Sequence, residues 1–252
     1  MSALPVAAYY RDLQNCPSGS ISWSHSARFK TALRLTGRGV RRLLDYGCGD
    51  GTFLEMAAGR YVHGVGADVA DDLIRDCRER LDRFNNLQFH NVAELTSPEH
   101  DRAYDLVTCM ETLEHCVPAV AERVLGDLQR LVAPEGRVII SVPIETGPIF
   151  PIKFMLRKIA GWQGIGHYRH YENYKIGDAL KMLFAGEHTE VERPAYGEPG
   201  HEFYTHYGFN WRAFRLRVME KFTIVETRFS PISLLGGWFN SQAWFVCRPR
   251  TT

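Results

Sequence analysis

At 252 residues, with 45% hydrophobic content and a net charge of +1, the chain fits one large α/β domain with a sizeable core, and it lacks the strong positive field of a nucleic-acid binder. Its six cysteines (Cys16, Cys48, Cys77, Cys109, Cys116, Cys247) are scattered without a Cys-x-x-Cys pair, so neither a zinc ribbon nor a disulfide framework is expected, and a reducing cytosol is the expected compartment. No signal-peptide pattern opens the sequence and no apolar run is long enough to span a bilayer, which predicts a cytoplasmic protein that touches membranes at most peripherally.

Residues 1–39 read as a helical leader ahead of the main domain. Tyr9, Tyr10, Trp23, His25 and Arg28 make an aromatic and basic cluster around the turn at Cys16-Pro17-Ser18-Gly19-Ser20. Ser24 or Ser26 is placed to cap a helix running through Arg28 to Leu35. That helix can fold over a ligand or pack on the sheet edge.

The centre of the chain is Leu43-Leu44-Asp45-Tyr46-Gly47-Cys48-Gly49-Asp50-Gly51-Thr52. An apolar strand ends in an acid, passes through glycine at every second position, and enters the helix-compatible run Phe53 to Ala58. Such glycines let the backbone approach a ligand without a Cβ in the way. The spacing is not the Gly-x-Gly-x-x-Gly of dinucleotide folds, and no Lys-Ser/Thr follows to make a phosphate loop. A second strand, Val62 to Asp68, also ends in an acid, suited to ribose hydroxyls.

LLDYGCGDGTFL and GVGAD resemble the first and second motifs of class I S-adenosylmethionine (SAM)-dependent methyltransferases. The resemblance implies SAM as cosubstrate. It also implies cofactor contacts from Asp45, Tyr46, Gly47, Cys48, Gly49, Gly51, Asp68 and Val69. Asn91 and Met110 join them from the third and fourth strands. Asn91 stands where the family often has an acid.

From 40 to 143 strand and helix patterns alternate, as in a doubly wound, mostly parallel sheet. Asp71–Phe84 puts Leu73, Ile74, Cys77, Leu81 and Phe84 on one helical face. Leu87–Val92 is a third strand, Tyr104–Cys109 a fourth. A helix from Pro118 carries Val120, Val124, Leu128 and Leu131 and is expected to stop at Pro134-Glu135-Gly136. The β-branched run Arg137–Pro143 reads as a buried fifth strand. YDLVTCMETLEHC and LQRLVAPEGRVIISVP resemble the second half of the same methyltransferase core. Residues 210–221 form a helix feeding two C-terminal strands, Phe222–Thr227 and Gln242–Cys247, as a closing antiparallel hairpin. The expected fold is thus Rossmann-like, with one domain over 40–252.

Residues 144–209 are too many for a bare loop and are expected to form an inserted lid over the acceptor. Ile152–Ala160 is amphipathic and basic, and its apolar face is expected to pack on the domain; residues 151–160 are the place for any peripheral membrane contact.

Methyl transfer from a sulfonium needs alignment and, for a hydroxyl acceptor, removal of a proton. Glu111, Glu114 and His115 follow the fourth strand, with Glu111 and Glu114 expected on one face of a helical turn and His115 as the base. The E-x-x-E-H string also resembles the metal-holding turn of ubiquinone-type O-methyltransferases and small-RNA 2′-O-methyltransferases. A metal there needs a further ligand among His167, His170, His201 and His206, and no metal is expected. GHYRHY resembles an element of methyltransferases in glycan and lipid-linked sugar pathways, which makes His167 a second catalytic candidate beside Arg169. The expected activity is O-methylation of a sugar in a glycan or glycolipid, or of a small metabolite, with no nucleic-acid partner. The alternatives are a metal-assisted RNA 2′-O-methyltransferase and a SAM-binding protein without catalysis.

Overall fold

The structure is a computed structural model and describes residues 19–162, 174–200 and 202–250. Helix α1 (Gly19–Thr36) leads into β1 (Val40–Tyr46), and a short α2 (Thr52–Met56) returns the chain to β2 (Tyr61–Asp68). Then come α3 (Asp71–Arg80), β3 (Leu87–Asn91), β4 (Tyr104–Met110), α4 (Pro118–Leu131) and β5 (Val132–Pro143). Residues 144–209 contribute α5 (Ile149–Trp162), α6 (Ile176–Leu183) and the two-residue strands β6 (Ala195–Tyr196) and β7 (Phe203–Tyr204). Helix α7 (Trp211–Lys221) runs into β8 (Phe222–Ser230), and β9 (Gln242–Pro249) closes the chain.

The main sheet has seven strands in the order β3-β2-β1-β4-β5-β9-β8. The first five strands run parallel, while β9 is antiparallel to both of its neighbours. The strand order reverses between β1 and β4. Open α/β sheets bind ligands in the crevice at the carboxyl ends of such a pair.

Paired neighbours in the sequence explain how one sheet serves two cores. Leu44, Val107, Ile140 and Phe245 face α4 and α7, where they meet Val124, Leu128, Phe214 and Val218. Leu43, Leu106, Ile139 and Trp244 face α1, α2 and α3, where they meet Phe29, Leu54, Ile74 and Cys77. Successive strand residues point to opposite faces, so central strands covered on both sides must be apolar throughout. Each such side chain contributes about 1.5–3 kcal/mol through burial.

Four local expectations need correction. Ser24 and Ser26 lie inside α1 instead of capping it, because the helix already begins at Gly19. Helix α3 ends at Arg80, with Leu81 as its C-cap, although Leu81 and Phe84 still join the same core. Pro134-Glu135-Gly136 does not separate α4 from β5: the strand begins at Val132 and absorbs the stop through a register shift against β4. The apolar face of α5 does not pack on the domain; Ile152, Met155, Leu156 and Ile159 are exposed.

The inserted segment has a small core of its own, in which Phe150, Met182, Val191 and Tyr207 are buried together and Tyr174 packs against them. No described helix is long and apolar enough to cross a membrane.

Candidate functional site

The glycine loop after β1 forms one wall of a cleft lined by Arg28 and Phe29 of α1, by Asp45, and by Met110 at the end of β4. Gly47, Gly49 and Gly51 all have positive φ, at 78°, 54° and 70°. Gly47 has a second reason to be glycine: a Cβ there would lie 2.4 Å from Thr112 Oγ1. The loop and the segment after β4 touch.

Asp68, at the end of β2, accepts the Gly49 amide at 2.9 Å through Oδ2 and the Ala70 amide at 3.1 Å through Oδ1. The carboxylate therefore shapes the glycine loop directly, and its remaining lone pairs are left for a ligand's hydroxyls. Val69 beside it is exposed. Asp45 is buried and accepts the Thr108 hydroxyl at 2.6 Å. Burial pushes its carboxyl up to about 7, against the opposing hydrogen bond from Thr108.

Two expected cofactor side chains point elsewhere. The ring of Tyr46 lies in the core beneath α4, and its hydroxyl donates to Asp127 at 3.0 Å, so only its backbone belongs to the loop. The Asn91 side chain caps the turn that follows β3, accepting from Ala93 at 2.9 Å and donating to Asp71 at 2.7 Å. Cys48 is buried against the sheet, with its sulfur 3.8 Å from the Gly49 carbonyl oxygen.

Arg28 and Asp50 are additions to the expected site. Asp50 caps the Thr52 amide at 3.1 Å with Oδ1, while its buried Oδ2 has no hydrogen-bond partner. An aspartate between two glycines of the loop was the available signal. For Arg28 the sequence offered only its place in the basic cluster.

Beyond Met110 the expected helical turn is only partly there. Glu111 takes a left-handed backbone, φ 52°, and the helical turn covers Leu113–His115 alone. Glu111 and Glu114 therefore do not share a helical face. Glu111 accepts the Ser141 hydroxyl at 3.1 Å, and burial raises its carboxyl despite the opposing charge of Arg28.

Glu114 is fully buried, and neither of its carboxylate oxygens has a hydrogen-bond partner. Burial, then the charge of Glu111, drives its carboxyl well above the usual range. His115 Nδ1 lies 2.9 Å from the carbonyl oxygen of Tyr204 in β7. That bond requires the proton on Nδ1 and leaves the Nε2 lone pair available. Burial lowers the imidazole below its ordinary value, and Arg193 adds to the effect.

The inserted segment supplies His206, whose ring centroid is 5.1 Å from that of His115. Burial pulls His206 down to about 4 even though Glu145, 3.4 Å from its Nδ1, opposes this. One ligating atom from each of Glu114, His115 and His206 lies within 4.8 Å of the others. Among the described residues, His206 is thus the candidate insertion histidine that the structure brings to the turn. His167, His170 and His201 lie outside the described residues, and so does Arg169.

Arg193 holds this arrangement in place. Its guanidinium donates to the carbonyls of Glu114 at 2.6 Å, Thr205 at 2.7 Å and Tyr207 at 3.0 Å, and it lies over the ring of Tyr204. An antiparallel bridge between Cys116 and Phe203 runs alongside. Nothing in the local sequence marked Arg193, because its hydrogen bonds go to backbone carbonyls at least 12 residues away in the chain.

A family described as a methyltransferase domain matches residues 24–187. The ubiquinone biosynthesis O-methyltransferase of Aeromonas salmonicida is 41% identical over 103 residues, which is 40% of this chain and 42% of that protein. The same-named protein of Aliivibrio fischeri is 29% identical over 151 residues, 57% of this chain and 62% of its own length. The chain thus spans about half the length of the curated relatives it matches. Among solved structures, the N-methyltransferase NodS of Bradyrhizobium japonicum, in complex with S-adenosylhomocysteine, superposes with a TM-score of 0.55 at 14% identity, covering 96% of this chain and 99% of that one. With a family match over more than half its length and the strand order described above, the chain belongs to the methyltransferase-domain family and has the Rossmann-like fold of the class I, SAM-dependent methyltransferases.

Proposed function

We propose that the protein transfers the methyl group of SAM to a hydroxyl oxygen of a small acceptor. The observation that carries this reading is continuity: Met110 lines the cofactor cleft, and the residues directly after it lead to His115 with Nε2 unprotonated. SAM would lie along Gly47–Gly51. Asp68 is placed for the ribose hydroxyls, and Arg28 for the carboxylate of the cofactor's amino-acid part.

In the transfer step an acceptor oxygen attacks the methyl carbon in line with the sulfur, the carbon–sulfur bond breaks, and S-adenosylhomocysteine leaves. The acceptor proton passes to His115 Nε2. An imidazole lowered by burial stays neutral at pH 7 and is competent to take it. Arg193 and the Tyr204 carbonyl keep the ring from turning. The inserted segment 144–209 would form the acceptor side of the pocket.

The O-methyltransferase relatives support oxygen as the acceptor atom and a small metabolite as its carrier. They lend no support to a glycan acceptor, whose motif, GHYRHY, lies outside the described residues. The near-zero net charge speaks against RNA, where phosphate contacts dominate affinity.

The buried, unpartnered carboxylate of Glu114 favours a second reading. Glu114, His115 and His206 offer an oxygen and two imidazole nitrogens, a donor set that fits a divalent cation. The Tyr204 carbonyl on His115 and Glu145 beside His206 are the outer groups that orient such ligands. A cation there would supply Lewis acidity toward the acceptor hydroxyl.

Both readings are tested by incubating the protein with SAM and a panel of phenols, catechols and sugars, and following S-adenosylhomocysteine release. Turnover with a phenol or catechol is expected. Tight SAM binding with no product on any acceptor would identify a non-catalytic SAM-binding protein.

A further inference from the structure

Helix α5 is amphipathic in the wrong sense for a covering helix. Two of its three cations point inward: Lys153 Nζ donates to the Ile144 carbonyl at 2.9 Å and to Glu145 Oε1 at 2.7 Å, and Arg157 donates to Glu145 Oε2 at 2.9 Å. Glu145 is fully buried, so these contacts fix the rotation of the helix about its own axis. With Lys153 and Arg157 turned in, Ile152, Met155, Leu156 and Ile159 are turned out. Their i, i+3, i+4, i+7 spacing makes one continuous stripe.

Neighbouring elements extend this surface. Helix α6 packs beside α5 through Phe150 and Met182 and exposes Ile176 (82%), Leu180 and Phe184 (79%). Leu234 (98%) and Trp238 belong to the loop before β9, where the Trp238 ring stands 3.4 Å from where a Cβ on Gly147, just ahead of α5, would lie. Trp162, at the end of α5, is 88% exposed. Monomeric soluble proteins rarely expose large apolar patches without a partner.

The charges around the surface identify that partner. Lys158, Lys175 and Lys181 are exposed on or next to the two helices. The only acid within α5 and α6 is Asp178, which accepts the Tyr207 hydroxyl at 2.7 Å. We propose that α5, α6 and the 232–239 loop form a docking face for an anionic lipid bilayer, with the apolar stripe entering the headgroup boundary and the lysines meeting lipid phosphates. A second copy fits less well, since a two-fold contact through the same face would bring its lysines against their own symmetry mates. This inference rests on the shape and charge of the face alone, not on methyl transfer.

The test is flotation of the full chain with vesicles of phosphatidylcholine, with and without phosphatidylglycerol. Binding is expected to the anionic vesicles, to weaken with salt, and to shift tryptophan emission to the blue. Replacing Met155 and Leu156 together by Asp should lower the bound fraction at least about tenfold. Lys158→Glu with Lys181→Glu should abolish the preference for anionic lipid. These side chains are exposed, so both variants should keep the wild-type circular dichroism spectrum and bind SAM as before. Failure of the native protein to float with either vesicle would overturn the proposal. So would self-association of the native chain that Met155→Asp with Leu156→Asp converts to monomer, with no vesicle binding, since the face would then belong to a second copy.

Discussion

His115 and Tyr204 are 89 residues apart in the chain, yet Nδ1 of one donates to the carbonyl of the other at 2.9 Å. This bond joins the turn after β4 to the inserted hairpin and fixes which imidazole nitrogen faces the cluster. His115→Ala should therefore reduce turnover by roughly 10²–10⁴ while leaving SAM affinity unchanged, the range for a lost general base. Because burial lowers the imidazole, the acid limb of the pH–rate profile should fall below the ordinary histidine midpoint of about 6.5. A limb above that value would assign the titration to another group.

The same nitrogen cannot both accept a proton and bind a cation. With His115 as base, a chelator should leave turnover intact. Glu114→Gln should also be tolerated, because the amide keeps the size of a carboxyl whose neutral form burial favours. Loss of activity with chelator, recovery with Mg²⁺ or Mn²⁺, and an inactive Glu114→Gln would assign Glu114, His115 and His206 to the ion instead.

The sequence made most of the sheet legible and much of the site's scaffolding not. Ile139 and Ile140 are apolar because each faces a different core, so β5 is visible as an unbroken run. Asp45, Gly47 and Asp68 sit in a local pattern whose spacing reflects strand, turn and helix. His206 stood among four candidate histidines, and no local rule announces that long-range packing carries it to His115. Periodicity in α5 announced an apolar face but not its direction, which depends on Glu145, a residue outside the helix. The left-handed backbone of Glu111 follows from its position between β4 and the turn, not from its own preference.

Glu145, just after β5, ties parts of the inserted segment to one another, holding Lys153 and Arg157 and lying 3.4 Å from His206. Burial alone would raise its carboxyl, but Arg157 and Lys153 outweigh that and hold it well below the usual range. Its contribution should therefore be complete at neutral pH, decline as the pH falls through the ordinary carboxylate value of 4.5, and be gone once the lowered carboxyl itself protonates. Glu145→Ala leaves two inward-facing cations without their shared partner and should destabilise the protein by about 3 kcal/mol in denaturant titrations. Protease should then cut first within α5. Equal resistance in the variant and the native protein would show that the small core around Phe150 and Met182 holds the segment by itself.

Asp68 accepts the Gly49 amide, so under the proposed function it would serve SAM both directly and through the loop's shape. Asp68→Ala should weaken SAM by about 1.5–3 kcal/mol, the scale of a lost charged hydrogen-bond partner. Gly47→Ala should be worse, since its Cβ would collide with Thr112 at a left-handed φ. Calorimetry on the two variants checks both, and unchanged affinity in Asp68→Ala would remove that carboxylate from the binding site.

Asp45 should make SAM binding proton-linked. Its carboxyl titrates at about 7 in the folded protein against 3.8 as the reference, so between those values the folded state holds a proton that the unfolded state has released. Stability should therefore decline as pH rises from about 4 to 7, by up to about 4 kcal/mol. Asp45→Asn should flatten that decline. The cofactor brings a sulfonium and an ammonium into the cleft that Asp45 lines, and nearby positive charge favours the ionised carboxylate. Binding near pH 6.5 should then release a proton, seen as an apparent enthalpy that differs between phosphate and Tris buffers. In Asp45→Asn the two buffers should agree. Agreement already in the native protein would mean that the cofactor's cations lie too far from Asp45 to shift it.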